Sequence, residues 1–347
     1  DDNSSVSSKQ LPYLSYILNP CVLLPRDGDP IIVGAKICEE TYRRTTCIDD
    51  IRVYTVVADR TKLFKEALRD LKLTKKRIGI DLSAYPTITA IECAALKEAV
   101  PECKFVDSTE ILRMLVYEKS ENEIAYQRIA AEVQNRAYAK FLNSISLGDT
   151  ETDVMKIMLQ SQIDSGATEF GFTQINAHPI YLFLRPTNPN HAFKKRDFLL
   201  LDTGSTYRGY HSDFNRYFAF SEATPGLDNY VKKWAKFYDE ALGFWQVGRP
   251  IVQIAQDVKR LFKKYKIQSP LGLEVFCGHN VGYNVFDEPV FGTWCKPGVK
   301  LQSNTVISIE YFVSSKWGPM LWEEDFVVRD DSLEKISTFP NELHIVR

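Results

Sequence analysis

The stretch that decides the fold is Phe198-Leu199-Leu200-Leu201-Asp202-Thr203-Gly204, an apolar run that reaches a carboxylate near its end. Eleven positions after Asp202, Asp213 follows the segment Gly209-Tyr210-His211-Ser212. An apolar strand, a turn that contains glycine and a returning strand would place Asp202 and Asp213 across from each other. Two carboxylates at such a spacing repel each other unless a cation lies between them. The stretch therefore predicts an antiparallel hairpin with a cation site.

A second pair of carboxylates and one histidine follow. Glu310 ends the apolar run that starts at Val306, and Glu323 begins the segment 323–328, so that paired strands would bring the two glutamates together. His279 lies between Gly278 and Gly282, and glycines allow the backbone to approach a site closely. Two aspartates, one histidine and two glutamates favour a pair of divalent first-row metal ions over thiolate-bound zinc.

Helical patterns surround these strands. Capping boxes at Ser120 and Thr150 begin two predicted helices. Apolar residues at helical spacing predict two further helices, 227–245 and 251–265. The predicted strands are 198–202, 209–220, 305–312 and 322–328. The second half of the chain is therefore predicted to have an α+β fold, with an antiparallel sheet backed by helices.

The first half of the chain has a different pattern. Short β-branched runs alternate with helical stretches from Leu11 to about Val116, which indicates a smaller α/β domain. The predicted strands there are 31–33, 53–57 and 77–80, and the predicted helices are 63–71 and 89–100. The boundary is placed just before the first capping box, which gives domains 1–118 and 119–347.

Composition narrows the classes of partner. A net charge of −2 on 347 residues gives no electrostatic support for a nucleic-acid or membrane partner. No apolar run approaches the roughly 18 residues that a membrane span needs. Seven cysteines without metal-site spacing predict reduced thiols in a cytoplasmic chain.

The ordered carboxylates and histidine resemble the five metal ligands of the pita-bread metallopeptidase family, which contains methionine aminopeptidase, prolidase, aminopeptidase P and creatinase. The matching ligand positions are Asp202, Asp213, His279, Glu310 and Glu323. The flanking segments agree with that family: Leu201-Asp202-Thr203-Gly204, Ser212-Asp213-Phe214-Asn215-Arg216, Gly278-His279-Asn280-Val281-Gly282, Ile307-Ser308-Ile309-Glu310 and Glu323-Glu324-Asp325. Glu323 is preferred to Glu324 on ungapped comparison with the family pattern. The resemblance implies a C-terminal pita-bread domain behind a smaller creatinase-type N-terminal domain, which would lack its first elements here.

The resemblance also implies a chemistry. Two divalent ions (Mn, Fe, Co or Zn) would hold a bridging hydroxide that attacks a short peptide or amide substrate, while Glu310 would shuttle the proton. A homodimer is expected from the two-domain relatives.

Two positions depart from the family pattern. Phe286 stands seven residues after His279, where relatives with peptidase activity have a histidine, and phenylalanine cannot carry a proton. Arg185 stands at the position of the other assisting histidine, with His178 seven residues earlier. His178 and His211 are candidate replacements, and Arg185 is either a surface residue or a clamp for a substrate carboxylate. The predicted substrate-binding residues are Arg185, Tyr210, Tyr283 and Phe286.

Three functions remain open at this point. The first is a metal-dependent hydrolase of the Xaa-Pro dipeptidase or aminopeptidase P type. The second is a non-peptidase member of the same fold that cleaves a C–N or C–S bond, as creatinase, ectoine hydrolase and dimethylsulfoniopropionate lyase do. The third is a non-catalytic binding protein, against which the retained carboxylates argue, because without metal they repel each other.

Overall fold

The computed structural model describes residues 20–56, 58–82, 90–177 and 187–347. The chain divides into two compact units, Asp1–Leu112 and Arg113–Arg347. Among the described residues, no helix has the length and apolarity that crossing a membrane requires.

The first unit contains two small sheets flanked by helices. Its elements are β1 (Cys21–Leu23), β2 (Ile31–Ala35), α1 (Glu39–Thr45), β3 (Asp50–Tyr54), α2 (Asp59–Asp70), β4 (Arg77–Ile80), α3 (Ala90–Ala99) and β5 (Lys104–Asp107). Strand β2 pairs antiparallel with β1 and parallel with β3, and β4 pairs parallel with β5. Val33 on β2 and Phe64 on α2 share an apolar core. The α/β pattern predicted for this region is therefore present.

The second unit is larger and contains two five-stranded sheets. After α4 (Thr109–Tyr117), the elements are α5 (Glu121–Ser144), α6 (Glu151–Ser165), β6 (Glu169–Ala177), β7 (Phe198–Tyr207), β8 (Tyr210–His211), β9 (Phe214–Phe220), α7 (Leu227–Leu242), α8 (Ile251–Tyr265), β10 (Phe276–Asn280), β11 (Asp287–Gly292), β12 (Thr305–Ser315), β13 (Gly318–Val328), β14 (Leu333–Lys335) and β15 (Leu343–Val346). One sheet has the order β15-β9-β7-β6, with β8 paired to β7, and the other has the order β11-β10-β12-β13-β14.

Helices pack against these sheets. Along each strand the side chains alternate between the two faces, so the apolar ones can contact a helix. Leu199 and Leu201 of β7 share a buried core with residues of α5 and α6. Ile307 and Ile309 of β12 share another core with residues of α7 and α8. Because strand side chains alternate between faces, the residues between these apolar positions face the other side of their sheet. That alternation places Asp202, Ser308 and Glu310 away from the adjoining leucine and isoleucine side chains.

Several predicted bounds were wrong. Glu310 does not end a strand, since β12 continues to Ser315 in a long hairpin with β13. The predicted strand 209–220 is broken at Ser212 and Asp213. The predicted strand 53–57 lies earlier, at 50–54, and the helix predicted to end at Trp245 ends at Leu242. Hairpin register and the break before Phe214 depend on partner strands, which a local pattern does not specify.

Replacement of the N-cap residue of α5 should lower the stability of the second unit. Ser120 Oγ accepts a hydrogen bond from Glu123 N at 3.4 Å, and Glu123 Oε2 accepts one from Ser120 N at 2.8 Å. Ser120→Ala should therefore reduce the free energy of unfolding by about 1 kcal/mol in urea denaturation. Ser146→Ala, at an exposed loop position, is the control and should change it by less than about 0.5 kcal/mol. Equal effects of the two substitutions would contradict the capping role.

Candidate metal centre

Strand register gathers polar side chains on one face of the sheet that contains β12. His279 on β10 pairs with Ser308, which in turn pairs with Asp325 on β13. Two residues farther along β12, Glu310 pairs with Glu323 of β13. Cross-strand partners share a face, so these five side chains point to the same side of the sheet. Ser308 Oγ donates to Glu323 Oε1 at 3.0 Å, as this arrangement requires.

The other sheet supplies Asp202 and Asp213. Asp202 lies within β7, and its cross-strand partner is Asn215 rather than Asp213. Asp213 occupies the break between β8 and β9, where its backbone N donates to Asp325 Oδ2 at 2.7 Å. The predicted hairpin is therefore present, but the two aspartates are offset by two residues in register.

A tyrosine of α5 holds the two aspartate segments together. The hydroxyl of Tyr138 lies 3.0 Å from Leu201 O and 2.8 Å from Phe214 O, beside Asp202 and Asp213 respectively. Tyr138 is fully buried. Its position on the helix explains how α5 can fix the spacing of two strand segments.

The five predicted ligand residues lie close together. His279 Nε2 is 3.4 Å from Asp213 Oδ2 and 3.3 Å from Glu310 Oε1. One ligand atom from each of Asp213, His279 and Glu323 lies within 4.8 Å of the other two. Asp213, His279, Glu310 and Glu323 are buried, and so is the Oδ1 atom of Asp202, although Asp202 as a whole is partly exposed. His279 Nδ1 lies 3.1 Å from Asn280 O, which orients the ring so that Nε2 faces the carboxylates.

Crowding of these groups perturbs their proton affinities. Burial, reinforced by the charges of Asp213 and Glu310, raises the pKa of Asp202 well above its ordinary value. Burial and the charges of Asp213 and Asp202 act in the same direction on the pKa of Glu323. Burial raises the pKa of Asp213 to about 6. For His279 burial acts downward, but the carboxylates of Asp213 and Glu310 prevail and raise the pKa to about 10.

The residues present fit a divalent metal ion. Asp202 Oδ1 and Glu323 Oε2 are buried and have no hydrogen-bond partner among the described residues. Unpaired buried oxygens are costly in a folded protein, and an ion is one of the few explanations for them. Oxygen donors with one imidazole suit hard or borderline divalent cations.

Glu323 and Glu324 lie in different environments. Glu323 faces Asp202 and Asp213, whereas Glu324 points to the other side of β13. There Glu324 Oε2 lies 3.1 Å from Arg216 Nη2, and Glu324 Oε1 lies 2.7 Å from Lys335 Nζ. The charge of Glu324 is therefore balanced by two cations, which leaves Glu323 as the glutamate available to a metal.

The predicted substrate-binding residues are only partly described. His178 and Arg185 lie outside the described residues. The ring of Phe286 lies 4.1 Å from that of His279 between centroids, and 38% of Phe286 is exposed. Tyr210 and Tyr283 pack edge to face at 5.3 Å, and Tyr210 OH donates to Glu123 Oε1 at 3.0 Å. Phe286 thus contacts the predicted metal ligand His279, while the two tyrosines contact each other.

Sequence reasoning missed several residues that support the site. Asp325 and Ser308 could have been found, because each lies two positions from a predicted ligand on the same strand and therefore on the same face. Tyr138 gave no such signal, since a tyrosine on the apolar face of an amphipathic helix predicts only a position in the hydrophobic core. His211 was a candidate proton carrier, and its Nδ1 lies 3.1 Å from Thr206 Oγ1.

The chain is similar to known proteins in both sequence and fold. The sequence model of metallopeptidase family M24 matches residues 125–330, and that of the creatinase/prolidase N-terminal domain matches residues 18–115. The Mycobacterium tuberculosis protein described as "Probable dipeptidase PepE" is 27% identical over 252 residues, which cover 69% of this chain and 63% of that protein. Ectoine hydrolase of Halomonas elongata is 18% identical over 359 residues, covering 95% of this chain and 88% of the hydrolase.

A solved structure confirms the fold. The X-Pro aminopeptidase of Thermotoga maritima superposes with a TM-score of 0.80 at 17% identity, over 98% of this chain and 94% of that structure. The predicted fold, a creatinase-type N-terminal domain followed along the chain by a pita-bread domain, is therefore confirmed.

Substitution of the two adjacent glutamates should have opposite consequences. Glu323→Gln should weaken Mn²⁺ binding and leave the metal-free protein at least as stable as before, because it removes a buried carboxyl group whose negative charge the neighbouring carboxylates repel. Glu324→Gln should retain metal binding but lose about 3 kcal/mol of stability, because Arg216 keeps a buried charge without its partner. Calorimetric titration and urea denaturation measure the two effects. The reverse pattern would assign the ligand role to Glu324.

Metal binding should release protons. The raised pKa values of Asp202, Asp213, Glu323 and His279 mean that the metal-free cluster retains protons near neutral pH, whereas ligation requires the deprotonated groups. The apparent affinity for Mn²⁺ should therefore fall steadily as the pH is lowered from the pKa of His279, about 10, and should be lost below the pKa of Asp213, about 6. Titration in two buffers of different ionisation enthalpy measures the released protons. Identical binding enthalpies in both buffers would contradict this expectation.

Proposed function

Because this chain belongs to metallopeptidase family M24, we propose that it is a metal-dependent hydrolase that cleaves a short peptide of the Xaa-Pro class. The observation that carries the proposal is the buried cluster in which ligand atoms of Asp213, His279 and Glu323 lie within 4.8 Å of one another. Asp202 and Glu310 adjoin this cluster. Mn, Fe, Co or Zn all suit these donors.

The five residues would hold two divalent ions. When bound, such ions lower the pKa of a water molecule and polarise the scissile carbonyl group. Asp202, Asp213, Glu310 and Glu323 supply four negative charges that offset the positive charge of the pair. His279 presents Nε2 to the same space, since its Nδ1 is occupied beside Asn280 O.

Glu310 is the residue that we assign to proton transfer. Its Oε1 lies 3.3 Å from His279 Nε2, and the side chain is buried. A carboxylate in this position can take a proton from the attacking water and return it to the leaving nitrogen. Phe286 carries no proton, but its exposed face beside His279 provides an apolar wall for a proline ring or another compact side chain.

A second candidate is a non-peptidase hydrolase of a small molecule. The similarity to ectoine hydrolase along 95% of this chain favours it. So does the phenylalanine at position 286, because it removes a proton carrier from beside His279. Turnover of a cyclic amidine or a small amide, with no release of proline from peptides, would distinguish this function from the first. Homodimeric assembly and a cytoplasmic location remain predictions.

A panel of Xaa-Pro dipeptides and tripeptides tests the first function. Protein supplied in turn with Mn²⁺, Co²⁺, Zn²⁺ or Fe²⁺ should release free proline or a free amino-terminal residue, and chelator should abolish the release. Asp213→Ala should lose both metal binding and turnover, since Asp213 contacts His279 within the cluster. Asp228→Ala, at an exposed position on α7, is the matched control and should retain both. Full turnover by the Asp213 variant would refute the metal assignment.

A further inference from the structure

Asp202 is flanked by carboxamide side chains on both neighbouring strands. Its cross-strand partner on β6 is Gln174, and its partner on β9 is Asn215. Directly opposed residues in antiparallel strands have Cβ atoms about 4.5–5.5 Å apart and face the same side. The Asn215 side chain is therefore an immediate neighbour of the Asp202 carboxyl group.

The amide of Asn215 is buried and forms no hydrogen bond of ordinary geometry, although the hydroxyl of Tyr217, two residues along the same face of β9, lies near it. Asn215 is 0% exposed, and among the described residues neither Nδ2 nor Oδ1 has a hydrogen-bond partner. An unpaired buried amide is destabilising, so its presence calls for an explanation. On the adjacent strand, Asp202 Oδ1 is also buried and unpaired. A buried amide with a free N–H thus adjoins a carboxylate oxygen whose other side-chain neighbour, Glu323, is itself acidic and would lose its proton on binding a metal.

We propose that Asn215 is a positioning residue of the metal centre, whose Nδ2 donates to the Asp202 carboxylate when a divalent ion is held. Carboxylates that bind metal are commonly oriented by an outer hydrogen bond of this kind. An amide can supply the bond without adding a positive charge that would oppose the ion. A leucine would supply nothing, and an aspartate would add a charge that Asp202 repels. This inference rests on the metal site of the proposed function.

Removal of the amide should separate metal affinity from stability. In calorimetric titrations of the full chain with Mn²⁺ alone, Asn215→Leu should bind about 10- to 100-fold more weakly than the unmodified protein. The same variant, metal-free, should unfold at an equal or higher temperature, because an apolar group of similar size replaces an unpaired amide. A merely structural asparagine would behave in the opposite way, with a lower unfolding temperature and unchanged affinity.

Asn176→Leu is the matched control. Asn176 lies on β6, is 9% exposed, and both of its amide atoms are likewise unpaired among the described residues. Its cross-strand partner is Leu200 rather than a predicted ligand. The Asn176 variant should therefore bind Mn²⁺ as the unmodified protein does. Asn215→Thr retains a hydroxyl donor and should bind more tightly than Asn215→Leu.

The outcomes separate this inference from the proposed function. Asn215→Ala also removes the donor, and it carries the test if the leucine variant does not fold. If the unmodified protein binds Mn²⁺ and both variants bind it equally well, the role of Asn215 is overturned while the metal site stands. If the unmodified protein binds none, both are overturned.

Discussion

The structure depends on one electrostatic constraint, the concentration of acidic side chains in a buried space beside a single imidazole. The acidic residues are Asp202, Asp213, Glu310, Glu323 and Asp325. His279 can offset only one of their charges. Such a cluster is stable in isolation only if it keeps protons, and burial raises the pKa values of Asp202, Asp213, Glu323 and Asp325 in that direction. A pair of divalent cations would relieve the same repulsion more completely, which is why we interpret the cluster as a metal centre.

The surrounding fold holds these groups in place against their repulsion. Three strands present His279, Glu310 and Glu323 at fixed register, and Tyr138 ties the segments of Asp202 and Asp213 to α5. The neighbouring charge of Glu324 is neutralised separately by Arg216 and Lys335. Rigid strands are suited to this task, because acidic side chains that repel one another stay close together only if the backbone cannot move them apart.

Much of the fold could be predicted from the sequence, because its signals are local. The capping boxes at Ser120 and Thr150 begin helices where they were predicted, and the apolar stripe of residues 251–265 is a helix with those bounds. The register between strands could not be predicted, since the alternation of side chains along a strand indicates the face of each residue but not its cross-strand partner. Asn215 opposite Asp202 is the clearest case. Asp325, by contrast, could have been predicted, because it lies two residues beyond Glu323 on β13 and therefore on the same face of the strand.

The most direct test of the metal centre is anomalous X-ray diffraction from crystals grown with Mn²⁺. The account predicts anomalous peaks at the metal absorption edge, in the space bounded by Asp202, Asp213, His279, Glu310 and Glu323. Carboxylate oxygens and His279 Nε2 should lie about 2.0–2.3 Å from those peaks. Crystals that show no anomalous signal among these side chains at saturating Mn²⁺, with the carboxylates instead bonded to one another through protons, would contradict it.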